Sequence, residues 1–139
     1  MYCFDTDVLS AVLRRDPPLR LVRRLAATPA RDQSTTAITL GELIDGATRR
    51  GSLELAERVR ELVRAASVVL PFDDAAAESY GALRARLERD GERLADPDLR
   101  IASIAVSRDL TLVTGNVKHF ARVPELRVEN WLAEPPRST

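Results

Sequence analysis

Cysteine occurs once in the 139 residues, at Cys3, so no disulfide can form within the chain. A reducing, cytoplasmic setting is the natural expectation. Cys3 lies in the apolar run Tyr2-Cys3-Phe4, which points to core packing rather than reactivity. No apolar stretch approaches the length of a membrane span, and the first residues lack the charged-then-apolar layout of a signal peptide. Internal repeats, low-complexity tracts and a convincing linker are also missing. The formal net charge is zero, so composition does not announce a nucleic-acid binder. Lysine is nearly absent: Lys118 stands alone beside twenty arginines. Arginine suits bidentate contact with phosphate, but GC-rich coding explains the excess equally well.

What is present describes one ordinary domain. Hydrophobic residues make up 45% and charged residues 30%, and a chain this long can bury a core without staples. Residues 1–134 are expected to form that domain and 135–139 a flexible tail. Short apolar runs alternate with helical patterns. Met1–Phe4 reads as a strand, with Asp7 capping a helix from Val8 to about Arg14. Pro17-Pro18 opens another helix through Ala26. Ser34–Ile38 is a second strand, and Thr39 starts a helix carrying Leu40, Leu43, Ile44 and Ala47. Gly51-Ser52 breaks it before a helix with Leu55, Val59, Leu62, Val63 and Ala66 on one face. Val68–Leu70 is a third strand, and Asp73 caps a long helix bearing Tyr80, Leu83 and Leu87. Asp96-Pro97 marks a helix start, with Asp96 as the cap. That helix is apolar on most sides through Val106, and Leu110–Val113 and Arg127–Glu129 supply two more strands. Strands separated by helices predict a three-layer α/β/α sandwich around a short, mainly parallel sheet of four to five strands.

In such sheets, sites form beyond the carboxyl ends of the strands, at a switch in strand order. Asp5 follows the first strand, Glu42 lies in the first turn after the second, and Asn116 follows the fourth. Asp98 opens the helix leading into that fourth strand. Three carboxylates at one edge need a cation between them, and hard oxygen donors describe Mg²⁺ or Mn²⁺. Each acid also has a plainer role. Thr39 and Glu42 fit a capping box, and Asp98 can complement the helix dipole. Asp5 is harder to dismiss, because Asp7 is available as the cap. His119, the single histidine, reads as a surface residue rather than a general base.

Taken in order, these segments resemble the PIN-domain ribonucleases, and among them the VapC-type toxins of toxin–antitoxin pairs. The resemblance is carried by Phe4-Asp5-Thr6-Asp7, Thr36 to Leu43, Asp98-Leu99-Arg100-Ile101-Ala102-Ser103, Leu112-Val113-Thr114-Gly115-Asn116 and Val128-Glu129-Asn130-Trp131. It implies metal-binding or catalytic roles for Asp5, Glu42 and Asp98. Asn116 falls where many relatives carry a fourth acid, which puts a second metal position in doubt. Thr6 and Thr114 match polar positions that can place water or phosphate, and structural hydroxyl bonds would explain them as well. The implied activity is Mg²⁺- or Mn²⁺-dependent hydrolysis of RNA phosphodiester bonds, with arginines such as Arg14, Arg15, Arg49 and Arg50 as candidates for holding the backbone. A homodimer and an antitoxin covering the site are implied too.

Two other readings use the same residues. Asp5-Thr6-Asp7 also fits the opening Asp-x-Asp of haloacid-dehalogenase-like phosphatases. Those enzymes need a downstream lysine and a late acidic pair, whereas Lys118 follows the fourth strand and Asp73-Asp74 comes too early. A degenerate module that binds RNA or protein without cutting would account for Asn116, although the retained acids argue against it.

Overall fold

Residues 2 to 4 form the middle strand of a five-stranded sheet in the computed structural model, which describes residues 1–66 and 68–133. The tail expected at 135–139 and the side-chain placement expected for Ala66 lie outside what is described. The strands are β1 (Tyr2–Phe4), β2 (Gln33–Thr36), β3 (Val68–Leu70), β4 (Thr111–Val113) and β5 (Arg127–Glu129). Their order is β3-β2-β1-β4-β5 and every neighbouring pair is parallel. Cys3 is in register with Ser34 on one side and Leu112 on the other. The chain thus moves outward from β1 to β3, then returns to lay β4 against the other edge of β1. That return creates the switch point between β1 and β4.

Alternation along the strands sorts two cores onto opposite faces. Cys3 and Leu112 point into one, with helices α5 (Asp74–Arg89), α6 (Asp96–Ser107) and α7 (Val117–Phe120). Phe4 and Val113 point into the other, with α1 (Thr6–Val12), α2 (Leu19–Ala27), α3 (Ala37–Arg49) and α4 (Leu53–Ala66). The sandwich has the three expected layers. Trp131, fully buried, closes the second core edge-on to Tyr2 and Phe4. Cys3 is buried, and that burial pushes its thiol up to about 12, so it is inert as expected.

Three helix starts differ from expectation. Asp5, not Asp7, caps α1, its carboxylate accepting from the Thr6 N–H. Thr36, not Thr39, caps α3 and accepts from the Thr39 N–H. The strand therefore stops at Thr36 instead of running to Ile38, and the Thr39–Glu42 capping box does not form. Ala95 occupies the cap position of α6, and Asp96 is the first helical residue, paired with Arg100. Asp73 caps α5 as expected, accepting from the Ala76 N–H. Among the described residues no helix is long and apolar enough to cross a membrane.

Candidate active site

The ends of β1 and β4 lie side by side, and the site is built across that seam. The Asp5 N–H donates to the Val113 carbonyl at 3.0 Å, which fixes the backbone where β1 ends. Asp5 is 3% exposed. One carboxylate oxygen accepts from the Thr6 N–H at 2.8 Å, and the other accepts from the Thr114 hydroxyl at 2.8 Å. Thr114 is itself fully buried, and its hydroxyl accepts from the Asn116 N–H. A threonine here is thus a fastener between the two strand ends.

Asp7, expected only as a cap, holds the same seam from the other side. Its Oδ2 accepts from the Gly115 N–H at 2.8 Å. Glycine permits this approach: a Cβ at Gly115 would stand 2.8 Å from Asp7 Oδ2 and 2.9 Å from Leu132 Cδ1, and both side chains would have to shift. Glu42 reaches the site from α3, half-buried, and its Oε1 accepts from the Thr6 hydroxyl at 2.7 Å. Its partner is a side chain of α1 rather than the backbone of its own helix.

Asp98 lies in the first turn of α6, near enough for its charge to bear on Asp5. Burial pushes the Asp5 carboxyl up to about 6, and the charges of Asp7 and Asp98 add to this, while the bonds from Thr114 and Thr6 oppose it. His119, read from sequence as a surface residue, stands with Nε2 2.9 Å from Asp98 Oδ2. The one sequence signal for it is spacing: three residues beyond Asn116 in a helical turn brings a side chain back to the same face. Asn116 sits at the cap position of α7 with an exposed side chain, making no capping bond, beside a cavity of about 530 Å³ that His119 and Arg122 also line. Arg14 and Arg50 line a second cleft, of about 360 Å³, together with Thr6 and Glu42. Arg49 instead pairs with Asp45 on the exposed side of α3, and Arg15 is exposed outside that cleft.

The donors gathered here are carboxylate, amide and hydroxyl oxygens, which suit a hard cation. Among the described residues, no three His, Cys, Asp or Glu side chains are grouped so as to hold a metal ion. Mg²⁺ requires no such cage, since it binds through one or two carboxylates and keeps several waters. Asp5, buried beside two like charges, is the carboxylate with the most to gain from a cation. The donor set therefore fits a divalent ion.

Known proteins agree with this architecture. The PIN domain family matches residues 2–126. Ribonuclease VapC2 of Haemophilus influenzae is 30% identical over 131 residues, covering 94% of this chain and 98% of its own. The tRNA(fMet)-specific endonuclease VapC of Shigella flexneri is 41% identical over 130 residues, covering 94% and 97%. Among solved structures, VapBC2 from Rickettsia felis bound to a DNA fragment from their promoter superposes with a TM-score of 0.84 at 29% identity, covering 94% and 98%. With its switch-point acids on a five-stranded parallel sheet, this chain belongs to the PIN-domain family, among its VapC-type members.

Proposed function

We propose that this chain is a divalent-metal-dependent endoribonuclease and the toxin of a toxin–antitoxin pair. The observation that carries the reading is Asp5: a buried acid at the switch point, hydrogen-bonded across two strands and facing other carboxylates. Its bonds to the Thr6 N–H and Thr114 satisfy its oxygens, but among the described residues no basic side chain balances its charge.

Asp5 and Asp98 would hold Mg²⁺ or Mn²⁺, with Glu42 reaching it through water, and the ion when bound supplies positive charge for the scissile phosphodiester and its attacking water. Thr114 and the Thr6 N–H keep both Asp5 oxygens aimed in fixed directions. Thr6 fixes one oxygen of Glu42, and the other oxygen would orient the attacking water. Arg14 and Arg50 give the adjoining cleft its positive charge for the RNA backbone. Single-stranded or looped RNA is the substrate class, because its unstacked bases and backbone are accessible to side chains as those of a paired helix are not. The apolar part of that cleft, Leu13, Leu43, Leu55 and Val59, suits an antitoxin segment that covers Glu42. The VapBC complexes among the structural relatives support such a partner. A homodimer and a cytoplasmic location complete the proposal.

The test is cleavage of total RNA by the purified chain with Mg²⁺ or Mn²⁺, with the new ends mapped. Wild type should cut, while EDTA or Asp98→Asn should stop it. Cleavage that persists in EDTA overturns the metal mechanism. RNA that is bound but left whole means a binding module instead.

A further inference from the structure

Each of the three acids has its own donor in the protein. Asp5 has Thr114, Glu42 has Thr6, and Asp98 has His119. Among the described residues Asp98 has no other side-chain hydrogen bond, so one contact decides how its carboxylate is turned.

The histidine is well placed for that task. Phe120, fully buried, anchors α7 to the core, and the His119 N–H closes the turn onto the Asn116 carbonyl at 3.1 Å. The ring reaches from α7 to the first turn of α6, bridging residues 21 apart in sequence. In the tautomer with the proton on Nε2, the ring donates and Asp98 Oδ2 accepts. The side chains are 35% and 28% exposed, and a half-exposed pair of this kind contributes little to stability. What it does contribute is direction. An acid restrained by a neighbour's N–H keeps one rotamer, as the carboxylates and histidines around metal ions commonly do.

We infer that His119 is a positioning residue, holding Asp98 in the orientation that receives the divalent cation. The inference rests on the proposed metal-dependent function and adds a residue to it. His119 touches neither the RNA nor the ion in this role; it acts through Asp98.

The experiment measures Mn²⁺ binding to the RNA-free protein by titration calorimetry, with melting curves as a folding control. His119→Phe keeps the ring volume and removes the donor. It should weaken Mn²⁺ binding by about 10- to 100-fold with little change in Tm, and lower kcat while KM for RNA stays the same. His119→Gln places an amide N–H within reach of Asp98 and should restore binding to within a few-fold of wild type. In an Asp98→Asn background, His119→Phe should add no further loss. Wild-type affinity in His119→Phe, tighter binding, or failure of the glutamine to restore it would each overturn the inference alone. A wild-type protein that neither binds Mn²⁺ nor cuts RNA would overturn the proposed function, and this inference with it.

Discussion

Consider Asp5→Asn, measured first without metal. Burial, reinforced by the charges of Asp7 and Asp98, pushes the Asp5 carboxyl up to about 6 from the usual 3.8, against the pull of the bonds from Thr114 and Thr6. That difference corresponds to roughly 3 kcal/mol set against the ionised form. The folded-state value is raised, so between about pH 4 and 6 the folded protein keeps a proton that the unfolded chain has lost. The favourable contribution is full below the unfolded value and fades as the pH rises through about 6. Near neutral pH the whole burden is present. Asparagine never ionises, its Oδ1 can keep the Thr6 N–H bond, and its amide can donate to the Thr114 hydroxyl. In EDTA at about pH 8 the variant should therefore be more stable by about 1–3 kcal/mol, or several degrees in Tm. Near pH 4 the difference should shrink below about 1 kcal/mol. Urea denaturation followed by circular dichroism across this range measures both. Adding Mn²⁺ should stabilise wild type and leave the variant unmoved, and the variant should not cut RNA. A variant less stable than wild type at pH 8, or a difference that ignores pH, refutes this account of the site.

Two further variants address the scaffold. Gly115→Ala puts a methyl against Asp7 Oδ2 and Leu132 Cδ1; Leu132 can turn aside, but Asp7 is pinned by the Gly115 N–H. Thermal melts should show a loss of about 1–3 kcal/mol and RNA cleavage should slow, whereas an unaltered melt would contradict the close approach. Trp131→Ala removes a ring packed 4.9 Å and 5.4 Å from Tyr2 and Phe4, centroid to centroid, with the Arg24 guanidinium 4.5 Å above it. Its urea midpoint should fall by an amount equivalent to about 3–5 kcal/mol; a loss under about 1 kcal/mol would mean that Trp131 does not close the core.

Periodicity revealed the alternation of strands and helices because the three inner strands are largely buried and most helices carry an apolar stripe. The strand order was legible only as a class, since nothing local says that β4 returns to the inner edge of β1. Capping was misread wherever two short polar residues compete. Asp5 and Asp7 both suit the start of α1, and the choice depends on Gly115, which lies 108 residues from Asp7 and draws its carboxylate away. Thr36 and Thr39 present the same ambiguity, resolved because Thr36 ends a strand paired through to Leu70. Glu42 matched a capping box by spacing, yet the Thr6 hydroxyl claims it across two helices. His119 reads from sequence as a surface residue, and its contact with Asp98, 21 residues away, is visible only in the fold. Residue types named the acids, while the groups that aim them became visible only in three dimensions.

The seam between β1 and β4 also sets an order of events during synthesis. Asp5 is made 109 residues before its hydroxyl partner Thr114, and Asp7 waits 108 residues for Gly115. Domains made this way complete their long-range pairings only when the later strand becomes available. A nascent chain that ends before residue 111 lacks β4, and with it the fastener that holds Asp5. The edge that holds Asp5 and Asp7 therefore closes late: it cannot form until β4 and the loop after it have been made.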